Sequence, residues 1–108
     1  MSLQSFPPLW NPQSKVLILG TMPGVQSLHK QEYYGNPRNH FWKLIYALFG
    51  QQPDEAYLAR TEYALRSGIA LWDVLQSCER KGSLDIDIKE PIPNPIQEFL
   101  STEDHQIS

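Results

Sequence analysis

The sequence predicts an α/β fold built on parallel strands. A short apolar run from Val16 to Leu19 leads directly into a glycine-bounded loop, Gly20–Gly24. A second apolar run, from Ile69 to Leu75, follows two segments with helical periodicity. Strands that are apolar on both faces are typical of parallel sheets covered by helices on both sides. The order strand, helix, helix, strand therefore indicates an α/β domain.

The composition fits one globular domain spanning residues 1–108. Hydrophobic residues make up 41% of the chain and include three Trp, five Tyr and four Phe, which is enough for a core. The single cysteine, Cys78, excludes an intrachain disulfide and fits a reducing, cytoplasmic setting. No run approaches the roughly 20 apolar residues of a membrane span, and the N-terminus lacks a signal-peptide pattern. We therefore expect a cytoplasmic protein without membrane contacts.

The net charge of −3 conceals an uneven distribution. Residues 1–50 contain four basic side chains and one acidic one, whereas residues 51–108 contain five basic and eleven acidic ones. Phosphate binding needs only local positive charge, so the overall sign does not exclude nucleic acid as a partner. A chance asymmetry explains the charges equally well.

The first 14 residues predict an extended arm, because Pro7, Pro8 and Pro12 restrict φ and remove hydrogen-bond donors. Its apolar side chains, Phe6, Leu9 and Trp10, are expected to pack against the core.

Two helices are predicted between the strands. From Phe41 to Phe49 apolar residues recur every three or four positions, and Gly50 follows as the terminating glycine. Pro53 to Ser67 predicts the second helix, with Asp54 as its N-cap and Tyr57, Leu58, Ala64 and Leu65 towards the core.

The last third of the chain predicts less regular structure. Cys78 to Asp85 reads as a polar loop, and Pro91, Pro93 and Pro95 are expected to interrupt structure. Asn94 then opens a capping-box helix that extends to about Leu100. A third parallel strand is expected next, because two strands make a poor independent sheet. We expect either a part of a larger domain or a sheet completed by another chain.

The loop Gly20–Gly24 is a candidate ligand site, because α/β proteins bind ligands at the carboxyl ends of parallel strands. It is neither a dinucleotide fingerprint nor a P-loop, and a turn required by the backbone explains it as well. The polar and aromatic segment that follows, residues 27–38, leads into a helix start beside Arg38 and His40. Such a helix start suits an anion or the polar edge of a base. His29 and His40 have no other metal ligands nearby in sequence, so no metal site is predicted.

Two segments together resemble a known pattern. The run Gly20-Thr21-Met22-Pro23-Gly24, followed by Tyr33-Tyr34-Gly35-Asn36-Pro37-Arg38-Asn39-His40-Phe41-Trp42, is similar to the first motif region of the uracil-DNA glycosylase superfamily. The nearest branch is the hypoxanthine-DNA (deoxyinosine) glycosylases, which are related to the mismatch-specific glycosylases. The segments 69–73 and 82–85 also resemble this branch, and the resemblance extends from about Leu9 to Phe99.

The resemblance implies a three-layer α/β/α fold around a short, mostly parallel sheet, incomplete here at its C-terminus. Members of the family continue into a further strand and a Ser/Pro-rich loop. It also implies hydrolysis of the N-glycosidic bond of a deaminated base, hypoxanthine or uracil, flipped out of DNA. Neither a metal nor a redox cofactor is implied.

The resemblance also implies a base pocket. Met22 stands where several branches carry the polar residue that acts on water, so the catalytic role passes to Asn39, through positioning and electrostatic stabilisation. One of Tyr33 and Tyr34 is expected to stack on the base, with Tyr34 nearer the pocket, and Asp73 is expected only to satisfy backbone at the strand end. The predicted substrate-binding residues are Gly20, Thr21, Met22, Pro23, Tyr33, Tyr34, Asn36 and Phe41, and the predicted phosphate contacts are Lys30 and Arg38.

Two alternatives from other functional classes stay open. One is a non-catalytic α/β module that binds nucleic acid or a protein partner. The other is an enzyme acting on a small nucleotide or phosphate compound through the same glycine loop.

Overall fold

A pair of parallel strands forms the centre of the molecule, which a computed structural model describes for residues 2–107. Strand β2 (Val16–Gly20) pairs with β3 (Ile69–Asp73), and Gly20 lies opposite Asp73 at the carboxyl ends. Every residue of β3 is buried. On the other side of β3, the backbone of Leu9 exchanges two 2.9 Å hydrogen bonds with Leu71. The predicted parallel strands are therefore confirmed.

A second sheet contains three antiparallel strands in the order β1-β4-β5. They are β1 (Leu3–Gln4), β4 (Leu75–Glu79) and β5 (Lys89–Pro93). The predicted polar loop is wrong at its start, because Cys78 and Glu79 belong to β4. The prediction that the prolines interrupt structure is wrong for Pro91 and Pro93, which lie in β5. Pro91 and Pro93 are tolerated because β5 is an exposed edge strand, where a missing N–H need not face a partner.

Within residues 2–107, four α-helices surround the strands. They are α1 (Val25–Lys30), α2 (Phe41–Ala47), α3 (Tyr57–Arg66) and α4 (Ile96–Thr102). The short helix α1 was not predicted, because its six residues show no clear apolar stripe. No helix within residues 2–107 is long and apolar enough to cross a membrane.

Two predicted helix caps are wrong. The carboxylate of Asp54 accepts a 2.8 Å hydrogen bond from the Tyr46 hydroxyl, and α3 begins three residues later. The side chain of Asn94 donates to the backbone carbonyls of Asp73 and Leu75, at 2.7 and 3.1 Å. Asn94 therefore joins the end of β3 to the segment before α4 and does not cap α4.

Helices lie on both sides of β3, as the three-layer α/β/α expectation requires. The side chains of Ile69 and Leu71 belong to a core cluster with residues of α2 and α3. The ring of Trp72, which points to the opposite face, contacts Phe99 of α4 at 5.2 Å between centroids. The N-terminal arm is joined to this core by the backbone hydrogen bonds between Leu9 and Leu71 and by the side chain of Phe6, which is 8% exposed.

The buried face of α2 differs from the predicted one. Trp42, Ile45 and Tyr46 are buried, whereas Leu44 and Leu48 are 65% and 73% exposed. Trp42 lies three and four positions before Ile45 and Tyr46, and Leu44 lies four positions before Leu48, so helical periodicity alone does not choose between the two sets. Leu58, also predicted to be in the core, is 75% exposed.

Candidate active site

A cavity of about 460 Å³ opens at the carboxyl ends of β2 and β3. Four parts of the chain form it: the loop after β2 with the start of α1, the loop between α1 and α2, the end of β3, and the turn after β4. Its lining residues are Gly20, Thr21, Met22, Pro23, Gly24, Val25, Gln26, Tyr33, Tyr34, Asn36, Asn39, Asp73, Ser83 and Asp85. No group of three or more metal-ligating side chains comes together anywhere in residues 2–107.

The close approach of β2 and β3 explains the glycine at residue 20. The carboxylate oxygen Oδ1 of Asp73 occupies the space where a Cβ at position 20 would stand. The Tyr34 hydroxyl would also lie 3.3 Å from that Cβ. A residue without a side chain is needed here so that the carboxylate and the phenol reach the cavity.

Asp73 is a buried carboxyl group at the edge of the cavity. It is 5% exposed, and its Oδ2 atom has no hydrogen-bond partner among the described residues. Burial, and then the charge of Asp85, raise the pKa of Asp73 to about 6. The expectation that this side chain satisfies the backbone is wrong for Oδ2, which has no partner within residues 2–107, and the backbone carbonyl of Asp73 is bonded by the side chain of Asn94. Its place at the carboxyl end of a parallel strand was the sequence signal that could have identified it.

Tyr33 and Tyr34 have different environments. Tyr33 is 5% exposed, and its hydroxyl donates a 2.7 Å hydrogen bond to the carbonyl of Pro7. Its ring packs edge-on against Phe6 and so belongs to the core as well as to the cavity wall. Burial, and then the charge of Asp73, raise the pKa of Tyr33 far above its ordinary value.

Tyr34 presents a half-buried ring to the cavity. The ring stacks on Phe41 with 3.7 Å between centroids and 14° between planes. The backbone of Tyr34 has a φ of 55°, a left-handed conformation that is uncommon for a residue with a side chain. Burial, and then the charge of Asp73, raise the pKa of Tyr34 to about 12, so its phenol remains protonated at neutral pH.

Asn39 lies at the cavity with its carbonyl oxygen already engaged. That atom, Oδ1, accepts a 2.8 Å hydrogen bond from the backbone N–H of Phe41. Asn36 makes the same bond to the N–H of Arg38, at 2.9 Å. Within the described chain, the amide nitrogen of Asn39 has no partner, so both of its N–H donors are available, whereas one of the two lone pairs of its oxygen is used by Phe41.

Two hydrogen bonds between distant segments hold the wall of the cavity. The hydroxyl of Ser83 accepts from the backbone N–H of Val25, at 2.8 Å. The guanidinium of Arg80 donates to the carbonyl of Pro23, at 2.5 Å. Ser83 and Asp85 were not predicted as site residues, although they lie in a segment that resembles the hypoxanthine branch.

Three predicted site residues do not line this cavity. Phe41 supports it from outside, through its stacking on Tyr34. Lys30 lines a neighbouring cavity, which shares Tyr34, Asn36 and Asn39 with the first, and its Nζ donates to the carbonyl of Gly35 at 2.9 Å. Arg38 is exposed.

The cavity combines an aromatic ring for stacking, an amide donor and a buried carboxyl group. This arrangement suits a planar ring that has polar atoms at its edge.

Comparison with known proteins gives related sequences and a related structure. The chain is 40% identical over 91 residues to a hypoxanthine DNA glycosylase of Methanosarcina barkeri, covering 83% of this chain and 58% of the relative. It is 38% identical over 89 residues to a hypoxanthine DNA glycosylase of Methanosarcina acetivorans, covering 82% of this chain and 56% of the relative. The chain thus spans a little over half the length of these relatives.

The fold is similar to a solution NMR structure of a candidate uracil DNA glycosylase from Methanosarcina acetivorans. The TM-score is 0.85 and the identity 32%, over 99% of this chain and 66% of the other. The model of the uracil DNA glycosylase superfamily matches residues 7–102. With nearly the whole chain matched, this protein belongs to the uracil DNA glycosylase superfamily.

Proposed function

We propose that this protein is a DNA glycosylase that hydrolyses the N-glycosidic bond of a deaminated base in DNA. The cavity at the carboxyl ends of β2 and β3 is the observation that carries this proposal, because it places an aromatic wall, an amide donor and a carboxyl group around one space. Hypoxanthine is the proposed base, and uracil is the second, since the curated relatives bear the name hypoxanthine DNA glycosylase. A reducing cytoplasm is the proposed location, consistent with the buried free thiol of Cys78.

In the proposed reaction the target nucleotide leaves the duplex and its base enters the cavity. The glycosidic carbon is out of reach while the base is stacked, so flipping precedes chemistry. Tyr34 would stack on the base, and the amide of Asn39 would donate to a carbonyl oxygen at its edge. Since the amide nitrogen of Asn39 has no partner among the described residues and an amide is a poor base, we assign Asn39 a role as donor and not as the group that activates water.

Substitution of Asn39 tests this assignment. Asn39→Ala should reduce base release from inosine-containing DNA by about 10²-fold, as loss of a preorganised donor does in other enzymes. Asn39→Asp retains an oxygen for the Phe41 N–H but loses the donor, so it should be as inactive. The measurement is the yield of alkali-labile abasic sites under single turnover.

Asn11→Ala is the matched control, because Asn11 makes the same type of bond to the N–H two residues later, at 3.0 Å, and lies outside the cavity. This control should keep its activity. Full activity of Asn39→Asp would instead assign Asn39 a role as acceptor. Salt-sensitive DNA binding by the wild type without any base release would favour the non-catalytic module.

A further inference from the structure

We propose that Asp73 is a general acid, which donates a proton to a ring nitrogen of a flipped purine as the base departs. This inference rests on the proposed glycosylase function and adds a second catalytic group to it. It also names the substrate class: a purine, which leaves more easily when it is protonated.

The environment of Asp73 lacks the contacts of a structural carboxylate. The residue is 5% exposed, and its Oδ2 has no hydrogen-bond partner within residues 2–107. Burying a carboxylate without partners is unfavourable, so folding alone gives no reason for it. The side chain nevertheless lines the cavity, held there by the parallel register that sets it beside Gly20.

The charges around Asp73 favour its protonated form. Asp85, in the turn after β4, faces Asp73, and so do Tyr33 and Tyr34 in the loop before α2. The strand β2 contributes Gly20, which carries no charge. Asp73 and Asp85 are the only charged residues among the described ones that line the cavity. Without a cation to stabilise the ionised form, burial and like charge raise the pKa of Asp73 to about 6, close to neutral pH, where a general acid is most effective.

The proposed step balances in atoms and electrons. The proton of the Asp73 carboxyl passes to the ring nitrogen N7 of the purine, while the bond between C1′ and N9 breaks and its electron pair stays on the base. The sugar becomes oxocarbenium-like at C1′. Water adds at C1′ and gives up one proton, which restores the carboxyl group, so the products are the free purine and an abasic site.

A pyrimidine provides the internal comparison. Uracil and 5-fluorouracil depart as anions whose charge is spread over the ring and its carbonyl oxygens, so an acid helps them less. The structure therefore predicts that removing the Asp73 proton slows purine release selectively.

The test compares wild type with Asp73→Asn on two DNA duplexes, one with deoxyinosine and one with 5-fluorodeoxyuridine. Asp73→Asn should slow hypoxanthine release by about 10²-fold or more and 5-fluorouracil release by less than about threefold. Affinity for the inosine duplex should stay within about twofold, measured by fluorescence anisotropy, because the neutral amide can still donate a hydrogen bond.

The pH profile supplies a readout that a structural role would not change. The wild-type rate on inosine DNA should fall as pH rises through about 6, and this limb should be absent in Asp73→Asn. A rate that rises through the same pH would show that the ionised form acts, and would overturn the proposal. Equal losses on both duplexes would overturn it as well. A wild type that releases neither base would refute the glycosylase function itself, whereas an active wild type matched by an equally active Asp73→Asn would refute only the acid.

Discussion

Single side chains determine the chemistry that is available at the ends of β2 and β3. Gly20 leaves room for the carboxyl group of Asp73, and Tyr34 covers one wall of the same cavity. The loop that carries Met22 contributes no acidic or amide group, and the buried carboxyl group of the site is that of Asp73. In the proposed reaction the acid is therefore supplied by the second parallel strand.

Asp73→Asn should change stability with a defined pH dependence. In folded wild type the pKa of Asp73 is about 6, above the value of 3.8 expected in the unfolded chain. Between these pH values the folded state therefore binds more protons than the unfolded state. Its stability should therefore fall as pH rises from about 4 to about 6, by up to about 3 kcal/mol. Asparagine does not titrate, so the stability of Asp73→Asn relative to wild type should increase over this range and then stay constant.

Thermal unfolding from pH 4 to pH 8 measures this difference. Asp104→Asn, at an exposed carboxyl group, is the control and should track wild type. A difference between Asp73→Asn and wild type that does not change with pH would contradict the raised pKa.

Pairs of elements hold the site in place. The loop before α1 is joined to the turn after β4 through Arg80 and Ser83, although these partners are 57 and 58 residues apart in sequence. In the same way, α2 is joined to the segment before α3 by the Tyr46–Asp54 hydrogen bond. Such links compensate for the shortness of helices that would be unstable in isolation.

Tyr46→Phe should destabilise the protein by about 1–3 kcal/mol. Tyr46 is 1% exposed, and its hydroxyl donates to a carboxylate at 2.8 Å, a bond to a charged group that the substitution removes. Urea unfolding should show a lower midpoint with an unchanged m-value.

Tyr63→Phe is the matched control. The Tyr63 ring stacks on Tyr46 with 4.0 Å between centroids, and its hydroxyl has no hydrogen bond within the described residues. It should unfold close to the wild-type midpoint. Equal losses in both variants would assign the effect to the rings and not to the hydrogen bond.

On the scale of the whole molecule, charge is separated along the chain. Residues 1–50, which include Lys30, Arg38 and most of the cavity lining, carry four basic side chains and one acidic one, on a protein with net charge −3. With a negative net charge, DNA affinity would have to come from local groups of cations. The second cavity, lined by Lys30 and contiguous with the first, is the proposed path of the DNA backbone.

The double variant Lys30→Gln and Arg38→Gln should weaken DNA binding and reduce its salt dependence. Each lost phosphate contact lowers the slope of log K against log salt by about one, so the slope should fall by about two. Binding isotherms at several salt concentrations give this slope. Lys15→Gln, at the opposite end of β2 from the cavity, should leave it unchanged, and an unchanged slope in the double variant would exclude both cations from the interface.

How much of this could be predicted from sequence depends on how local each feature is. The strands from Val16 and Ile69, the loop Gly20–Gly24 and the helix from Phe41 are encoded by neighbouring residues, through apolar runs, glycine and helical spacing. The main side chains of the cavity wall, Tyr34 and Asn39, lie within the same continuous stretch. For this reason the position of the site was predictable.

Other features required contacts between residues that are distant in the chain. Strands β4 and β5 form because antiparallel pairing satisfies the backbone of a polar, proline-containing segment. Helical spacing allows either Leu44 or Trp42 to face inward. Contacts with the rest of the core decided that Trp42 is buried and Leu44 is exposed.

The chemistry of the site is divided in the same way. By itself, the sequence determined that a glycine loop, aromatic rings and an amide would meet after the first strand, because they are neighbours along the chain. Only the tertiary structure decided that Asp73 would lie beside Gly20 with its Oδ2 unpartnered in the described chain, and that the carbonyl of Asn39 would bond the N–H of Phe41. The reason is physical: the protonation of a carboxyl group and the availability of an amide depend on burial and partners in space, which local sequence does not specify.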